Sequence, residues 1–367
     1  MTRRILVLVA VLLLPVLSLQ AGSFFDLLQT SAPQGTDEAL EVVIKLPMDS
    51  IYAKTANEQI AFLSFTDNTG LAQRWPLHVD VRGKYRRRIC TFPPLKLNFS
   101  KKELKKRGLT KFDKLKLVTP CQQDEEGKNL ILKEYLAYRM LNQLTPASFR
   151  VQLLKVTYRD QLGNHPDYTT YAFVLEDTDE LAMRLGGEKM ENARGLAPAQ
   201  FDRQIETTQA IFSYFIGNTD WSLATAHNLK MIKTESGQII PVPYDFDFSA
   251  IVDAPYARPS SSIGQHTLHQ RVYLGFAASD EQLDEAVALF TKHKKELLKT
   301  IRKFSLLPIQ ERYNITEYLS HFYIEVKHLR KPREDFANFY ARLRGDQTEL
   351  VPPGASPEFY GVGASRK

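Results

Sequence analysis

Cysteine and tryptophan are scarce: the 367 residues hold two of each, with 8 His. Two cysteines exclude a disulfide-dense scaffold. No second Cys or His lies at ligand spacing from Cys90 or Cys121, which excludes a zinc ribbon or finger. No internal repeat is present, so repeat arrays are excluded. Only one run approaches the apolar length of a membrane span, and it lies at the start. The composition, 43% hydrophobic and 25% charged, excludes a disordered, collagen-like or coiled-coil chain. What remains is a globular protein of one large domain or two lobes.

Residues 1–21 read as a secretory signal. Arg3 and Arg4 precede an apolar run from Ile5 to Leu19, broken by Pro15, and Leu19-Gln20-Ala21 supplies a small-residue cleavage site. Cleaved or kept as an anchor, this segment sends the rest of the chain out of the cytoplasm. The expected location is secreted, periplasmic or cell-envelope, with contact to the membrane peripheral at most after cleavage. Cys90 and Cys121 would then meet an oxidising compartment. They would either form one bridge, closing the basic segment between them into a loop, or stay as buried thiols.

Residues 22–40 read as a turn-rich linker. Strands are predicted at Glu41–Pro47, Ile60–Phe65 and Leu77–Arg82. Leu95, Leu97 and Phe99 share a face opposite Lys96, and Leu115 and Leu117 do the same opposite Lys116. Leu130–Leu144 predicts a helix with two apolar faces, and Glu134 falls within the face of Ile131, Tyr138 and Leu141. Strands follow at Arg150–Thr157 and Tyr171–Glu176. A helix is predicted from Ala199 to Ile216, stopped by Gly217. Next comes a β-hairpin, Leu229–Lys233 and Ile239–Tyr244, around Glu235-Ser236-Gly237-Gln238. Helices from Asp280 to Phe304 and from Thr316 to Leu343 precede a Pro- and Gly-rich tail.

Three features carry chemistry. Arg82 to Lys116 holds 14 Lys and Arg against Glu103 and Asp113, a balance of +12 over 35 residues. Such a block attracts phosphates, nucleotides, acidic glycans or lipid headgroups. Its aromatic interleaving is too thin for nucleic acid. Second, a carboxylate on an apolar helix face needs a partner, and a lysine on a neighbouring strand would pair Glu134. Third, the hairpin brings its ends together: Asp220, His227 and Asn228 lie before its first strand, Asp245 and Asp247 after its second. Oxygen-rich clusters of this kind suit Mg²⁺ or Mn²⁺ holding a polyphosphate.

Basic strand, helix Glu, long helix, Asp/Asn loop and acidic hairpin end follow one another as the parts of a phosphoryl-transfer site do. The familiar protein-kinase spellings are absent: there is no G-x-G-x-x-G, V-A-I-K, H-R-D or D-F-G. Between Leu77 and Phe248 the sequence resembles the spore-coat CotH-type atypical protein kinase superfamily. The carriers are Val81-Arg82-Gly83-Lys84, Leu132-Lys133-Glu134-Tyr135-Leu136-Ala137-Tyr138-Arg139, Tyr171 to Glu176, Gly217-Asn218-Thr219-Asp220-Trp221 with His227-Asn228, and Pro243 to Asp247. Lys84 stands where the family has Asn after Arg-Gly.

The resemblance implies an α+β, two-lobed protein-kinase-like fold. A strand-rich N-lobe with one helix would span residues 41–176, and a helical C-lobe carrying the β-hairpin 177–345, ahead of a flexible tail at 346–367. It implies transfer of phosphate from ATP or another nucleoside triphosphate, with Mg²⁺ or Mn²⁺, to a protein or small-molecule hydroxyl. Asp220 would be catalytic. Asn228 and Asp245, with Asp247 as the alternative, would hold metal. Arg82, Glu134, Glu176 at the hinge, and either Lys96 or Lys116 would serve the nucleotide. Two rival readings stand beside it. One is a non-catalytic envelope protein, a pseudokinase that binds an anionic ligand or envelope component through the basic segment. The other is a metal-dependent hydrolase using Asp220, His227, Asp245 and Asp247.

Overall fold

The computed structural model describes residues 22–29, 39–55, 57–83 and 86–326. The expected signal, the tail and the end of the last predicted helix lie outside the described residues.

The first half is built from strands. After α1 (Phe24–Leu28) come β1 (Leu40–Leu46), α2 (Met48–Tyr52), β2 (Gln59–Thr66) and β3 (Ala72–Val81). They are followed by α3 (Arg86–Ile89), β4 (Leu95–Phe99), α4 (Lys101–Lys106), β5 (Lys114–Val118) and α5 (Glu125–Leu144). Then come β6 (Val151–Asp160), β7 (Tyr168–Leu175), α6 (Thr178–Arg184), β8 (Gly187–Lys189) and α7 (Arg203–Ile216). The hairpin β9 (Leu229–Thr234) and β10 (Ile239–Pro243) precedes α8 (Asp280–Arg302) and α9 (Ile309–Glu325).

Seven strands close into a barrel in the order β1-β2-β3-β4-β5-β7-β6. Every pair is antiparallel except β1–β6, which is parallel with Leu40 opposite Leu154. The parallel pair is a matter of parity, because an odd ring cannot alternate direction all the way round. Strands β8, β9 and β10 form a separate small sheet.

The expectation of a two-lobed kinase-like fold is overturned. The described residues form a closed seven-stranded mixed barrel with nine α-helices and a three-stranded sheet. The physical reason lies in the adjoining halves of β6 and β7, residues 151–154 and 172–175, which are buried on both faces. Leu154, Val156, Ala172 and Val174 point into the barrel core. Val151, Leu153, Phe173 and Leu175 point outward into a second core, shared with α5, α7, α8 and α9. Strands buried on both sides read as unbroken apolar runs, and here they weld the barrel directly to the helices.

Within the linker expected at 22–40, Phe24–Leu28 form a buried helix. Ser23 caps α1, with its hydroxyl accepting from the Asp26 N–H and the Asp26 carboxylate accepting from the Ser23 N–H. Phe24, Phe25 and Leu28 are buried in the barrel core. The Phe24 ring lies 3.9 Å from Phe99 and 4.9 Å from Trp75.

Cys90 and Cys121 form a disulfide. It ties the end of α3 to the segment leading into α5. No helix among the described residues is long and apolar enough to cross a membrane.

Truncating Phe24 leaves a cavity among Phe65, Trp75 and Phe99. Phe24→Ala is expected to cost about 3–5 kcal/mol, read as a lower urea midpoint with an unchanged slope. A loss under about 0.5 kcal/mol, ordinary for a surface substitution, would restore the linker reading.

Candidate active site

Lys116 stands on β5 with Leu115 and Leu117 facing the barrel core, so alternation turns it outward. Its Nζ lies 4.6 Å from the Tyr244 ring centroid and 5.5 Å from that of Phe149. Lys230 approaches the same Tyr244 ring at 5.1 Å. Burial, with Arg82 and Lys230 close by, pushes the Lys116 ammonium down to about 7. Burial likewise lowers Arg82. Among the described residues, no carboxylate forms an ion pair with Lys116, Lys230 or Arg82.

Acidic side chains line the same cleft. Helix α5 starts at the Asp124 cap, whose carboxylate accepts from the Gly127 N–H at 2.7 Å. One turn apart on this helix, Glu134 and Tyr138 share a face. The Tyr138 hydroxyl accepts a 2.8 Å hydrogen bond from the Asp245 N–H. The hairpin ends meet where the Tyr244 N–H donates to the Asn228 carbonyl at 3.0 Å. Asn228 and Asp245 both adopt left-handed backbone, φ +49° and +66°. Asn and Asp tolerate this region better than other side-chain-bearing residues.

The preceding loop is set by Gly217, left-handed at the end of α7. A Cβ there would collide with the Tyr318 hydroxyl and lie 2.6 Å from the Ala250 Cβ. The Asp220 carboxylate that follows is gripped on both oxygens. Asn228 Nδ2 donates to Oδ2 at 2.9 Å, and His227 Nε2 lies 3.0 Å from Oδ1. The hydrogen bond to Asp220 raises His227 above its ordinary pKa, against the effect of burial.

The third component was hidden in the basic block. Arg86 Nη2 lies 2.6 Å from Asp247 Oδ2, 3.4 Å from Glu134 Oε2 and 3.6 Å from Asp245 Oδ1. Burial opposes its charge, but these three carboxylates outweigh burial and hold the guanidinium above its ordinary range. Burial drives Glu134 and Asp247 upward, Arg86 opposing in each case.

Arg82, Arg86, Lys116, Glu134, Asp220, Asn228, Asp245 and Asp247 thus line one cleft of about 300 Å³. Two wider clefts, of about 730 and 900 Å³, have no arginine in their lining. In them Lys133 pairs with Glu311 and Lys189 with Glu191, whereas Lys111 and Lys233 of the wider one form no ion pair among the described residues.

Several expectations change. Glu134 pairs with Arg86, not with a strand lysine. Of the two lysines left open, Lys116 lines the cleft, whereas Lys96 faces it across the β4–β5 register and does not. Glu176 is also outside the lining. Its buried carboxylate accepts from the Arg150 N–H at 2.7 Å and pairs with Arg150 and Arg184, which fixes the end of β7. Asp247 is committed to Arg86 and to the Tyr256 hydroxyl, which donates at 3.0 Å. Arg86, Tyr138, Tyr244 and Lys230 were not singled out from the sequence. Tyr138 had a signal, its place one turn from Glu134. Arg86 had none beside Arg87 and Arg88.

Among the described residues no three His, Cys, Asp or Glu side chains converge to hold a metal. Mg²⁺ needs no such cage, since one or two carboxylates with phosphate oxygens and water suffice. Asp245, whose side chain is 39% exposed, fits that role. So does Asn228, whose amide nitrogen is spent on Asp220 while its oxygen is free to coordinate. Asp247 does not fit. Compared with known proteins, the chain matches no family model and no curated protein.

Lysine carries charge below its pKa, so the Lys116 contribution to anion binding is present at low pH and lost as pH rises through about 7. Tripolyphosphate affinity, titrated from about pH 6 to about pH 8.5, is expected to fall several-fold more in the wild type than in Lys116→Met. Parallel profiles would remove Lys116 from the anion site.

Proposed function

We propose that this protein is an exported phosphotransferase of the secreted or envelope compartment. It would take phosphate from a metal-bound nucleoside triphosphate such as ATP and pass it to a protein or small-molecule hydroxyl. The observation that carries this reading is that one cleft brings Arg82 and Lys116, neither held in an ion pair, together with Asp220, Asn228 and Asp245. Phosphoryl transfer asks the protein mainly for positioning and charge, and these residue types supply both. The fold lends no support, since it is not a two-lobed kinase fold. The order of the motifs from Arg82 to Asp247 does.

In this reading Arg82 and Lys116 hold the phosphate oxygens. Asp245 and Asn228 would hold Mg²⁺ or Mn²⁺, whose chemistry there is to neutralise charge on the phosphates. Asp220 receives the proton of the accepting hydroxyl as its oxygen bonds to phosphorus, and the nucleoside diphosphate leaves. Asn228 and His227 keep the Asp220 carboxylate aimed, and its side chain is 36% exposed to an incoming acceptor.

A second reading, non-catalytic capture of an anionic ligand, is favoured by one contact. Glu134 is engaged by Arg86, leaving Lys116 without the Lys–Glu pair on which kinases rely.

Calorimetric titration with ATP, with and without Mn²⁺, separates the two. For a phosphotransferase, binding is metal-dependent and Asp245→Asn weakens it at least about tenfold, or 1.4 kcal/mol, with an unchanged melting curve. Metal-independent binding indifferent to Asp245→Asn would support the binder. No binding of ATP or tripolyphosphate would overturn both.

A further inference from the structure

Phosphoryl-transfer sites that use two divalent ions need a second set of oxygen ligands beside the first. Here the oxygens placed for it belong to Glu134 and Asp247, and a guanidinium already stands between them. We propose that Arg86 is a resident cation in the place of a second divalent ion. The cleft would then take a single metal with the triphosphate, at Asp245 and Asn228. This deepens the proposed function and rests on it.

Three observations carry the inference. Arg86 reaches three of the four carboxylates that line the cleft, at 2.6, 3.4 and 3.6 Å, with its own side chain only 13% exposed. A divalent ion at the same place would bring its charge against that guanidinium at van der Waals range. Next, Arg86 is anchored. The Cys90 N–H donates to the Arg86 carbonyl at 2.9 Å, and Cys90 is bonded to Cys121 close to the start of α5. The helix bearing Glu134 and the turn bearing Arg86 are therefore covalently tied. Finally, Glu134 is 1% exposed, and its Oε1 has no hydrogen-bond partner. The pocket around Arg86 thus keeps an oxygen that a cation would use once the guanidinium is gone. Asp245 differs from the other two acids. It is the most exposed, the farthest from Arg86, and joined through the hairpin to Asn228. It is free to serve one ion while Arg86 stays in place.

Arrangement and charge assign the roles. Arg86 fills the place between Asp247 and Glu134, and Arg82 and Lys116 meet the phosphates directly. Arg86 is thus a positioning residue.

Native mass spectrometry of the purified protein with a non-hydrolysable ATP analogue and rising Mn²⁺ counts the ions directly. The expected main species is protein with one nucleotide and one Mn²⁺, unchanged at Mn²⁺ excess. In Arg86→Met, checked for folding by its melting curve, a second Mn²⁺ is expected to appear. A wild-type complex that takes two Mn²⁺ overturns the inference, as does a folded Arg86→Met that stays at one. Should Arg86→Met fail to fold, the wild-type count alone decides. If the wild type takes neither nucleotide nor Mn²⁺, the proposed function fails and this inference falls with it. Two ions would fail the inference alone.

Discussion

Helix α5 is the member on which the rest of the structure leans. It packs against β6 and β7 on one side and α8 on the other. Twelve of its 20 residues are buried, Lys133, Glu134 and Tyr138 among them. A helix clad on most sides has no solvent face on which to park charge. Each polar group it carries inward must therefore meet a partner from another element. Lys133 meets Glu311 of α9, Glu134 meets Arg86 of α3, and Tyr138 meets the backbone at Asp245. The cleft forms where the last two of these obligations converge.

The charge arrangement of the cleft follows from that convergence. Glu134 is buried and would be costly as a lone carboxylate. Arg86 answers that need together with those of Asp247 and Asp245. With the guanidinium occupied by acids, Lys116 and Arg82 remain outside any ion pair, Lys116 over the Tyr244 and Phe149 rings. A buried ammonium held that way gives up its proton more readily. The same economy that satisfies α5 thus leaves two cations unspent.

Much of this site was legible in the sequence, because local rules govern it. The hairpin turn at Gly237 guarantees that Asn228 and Asp245 meet. Alternation about Leu115 and Leu117 guarantees that Lys116 leaves the barrel. A carboxylate among Ile131, Tyr138 and Leu141 announces a required partner. The identity of that partner was not legible. Arg86 is one arginine in a run of three, and long-range register decides which of them turns inward. Architecture was lost for a similar reason. Whether seven strands close into a ring depends on β1 finding β6, a pairing over 114 positions that no local pattern encodes. Residues 22–29 were misjudged because Phe24, Phe25 and Leu28 form too short a pattern to announce a helix, although they fill the end of the barrel core.

The ring closure has a consequence in time. A chain is made from its N-terminus, so β1 to β5 exist before β6 and β7 are available to receive them. Until Val151–Asp160 emerges, β1 keeps one backbone edge unpaired, and β5 waits likewise for β7. The aromatic residues meant for the interior, Phe24, Phe65, Trp75 and Phe99, stay exposed to neighbours for the same interval. Unpaired edges beside apolar surface are what holding chaperones protect and what crowded nascent chains exploit to aggregate. This barrel is a late product of its own synthesis, and its passage to the folded state depends on being kept apart from other copies until the seventh strand arrives.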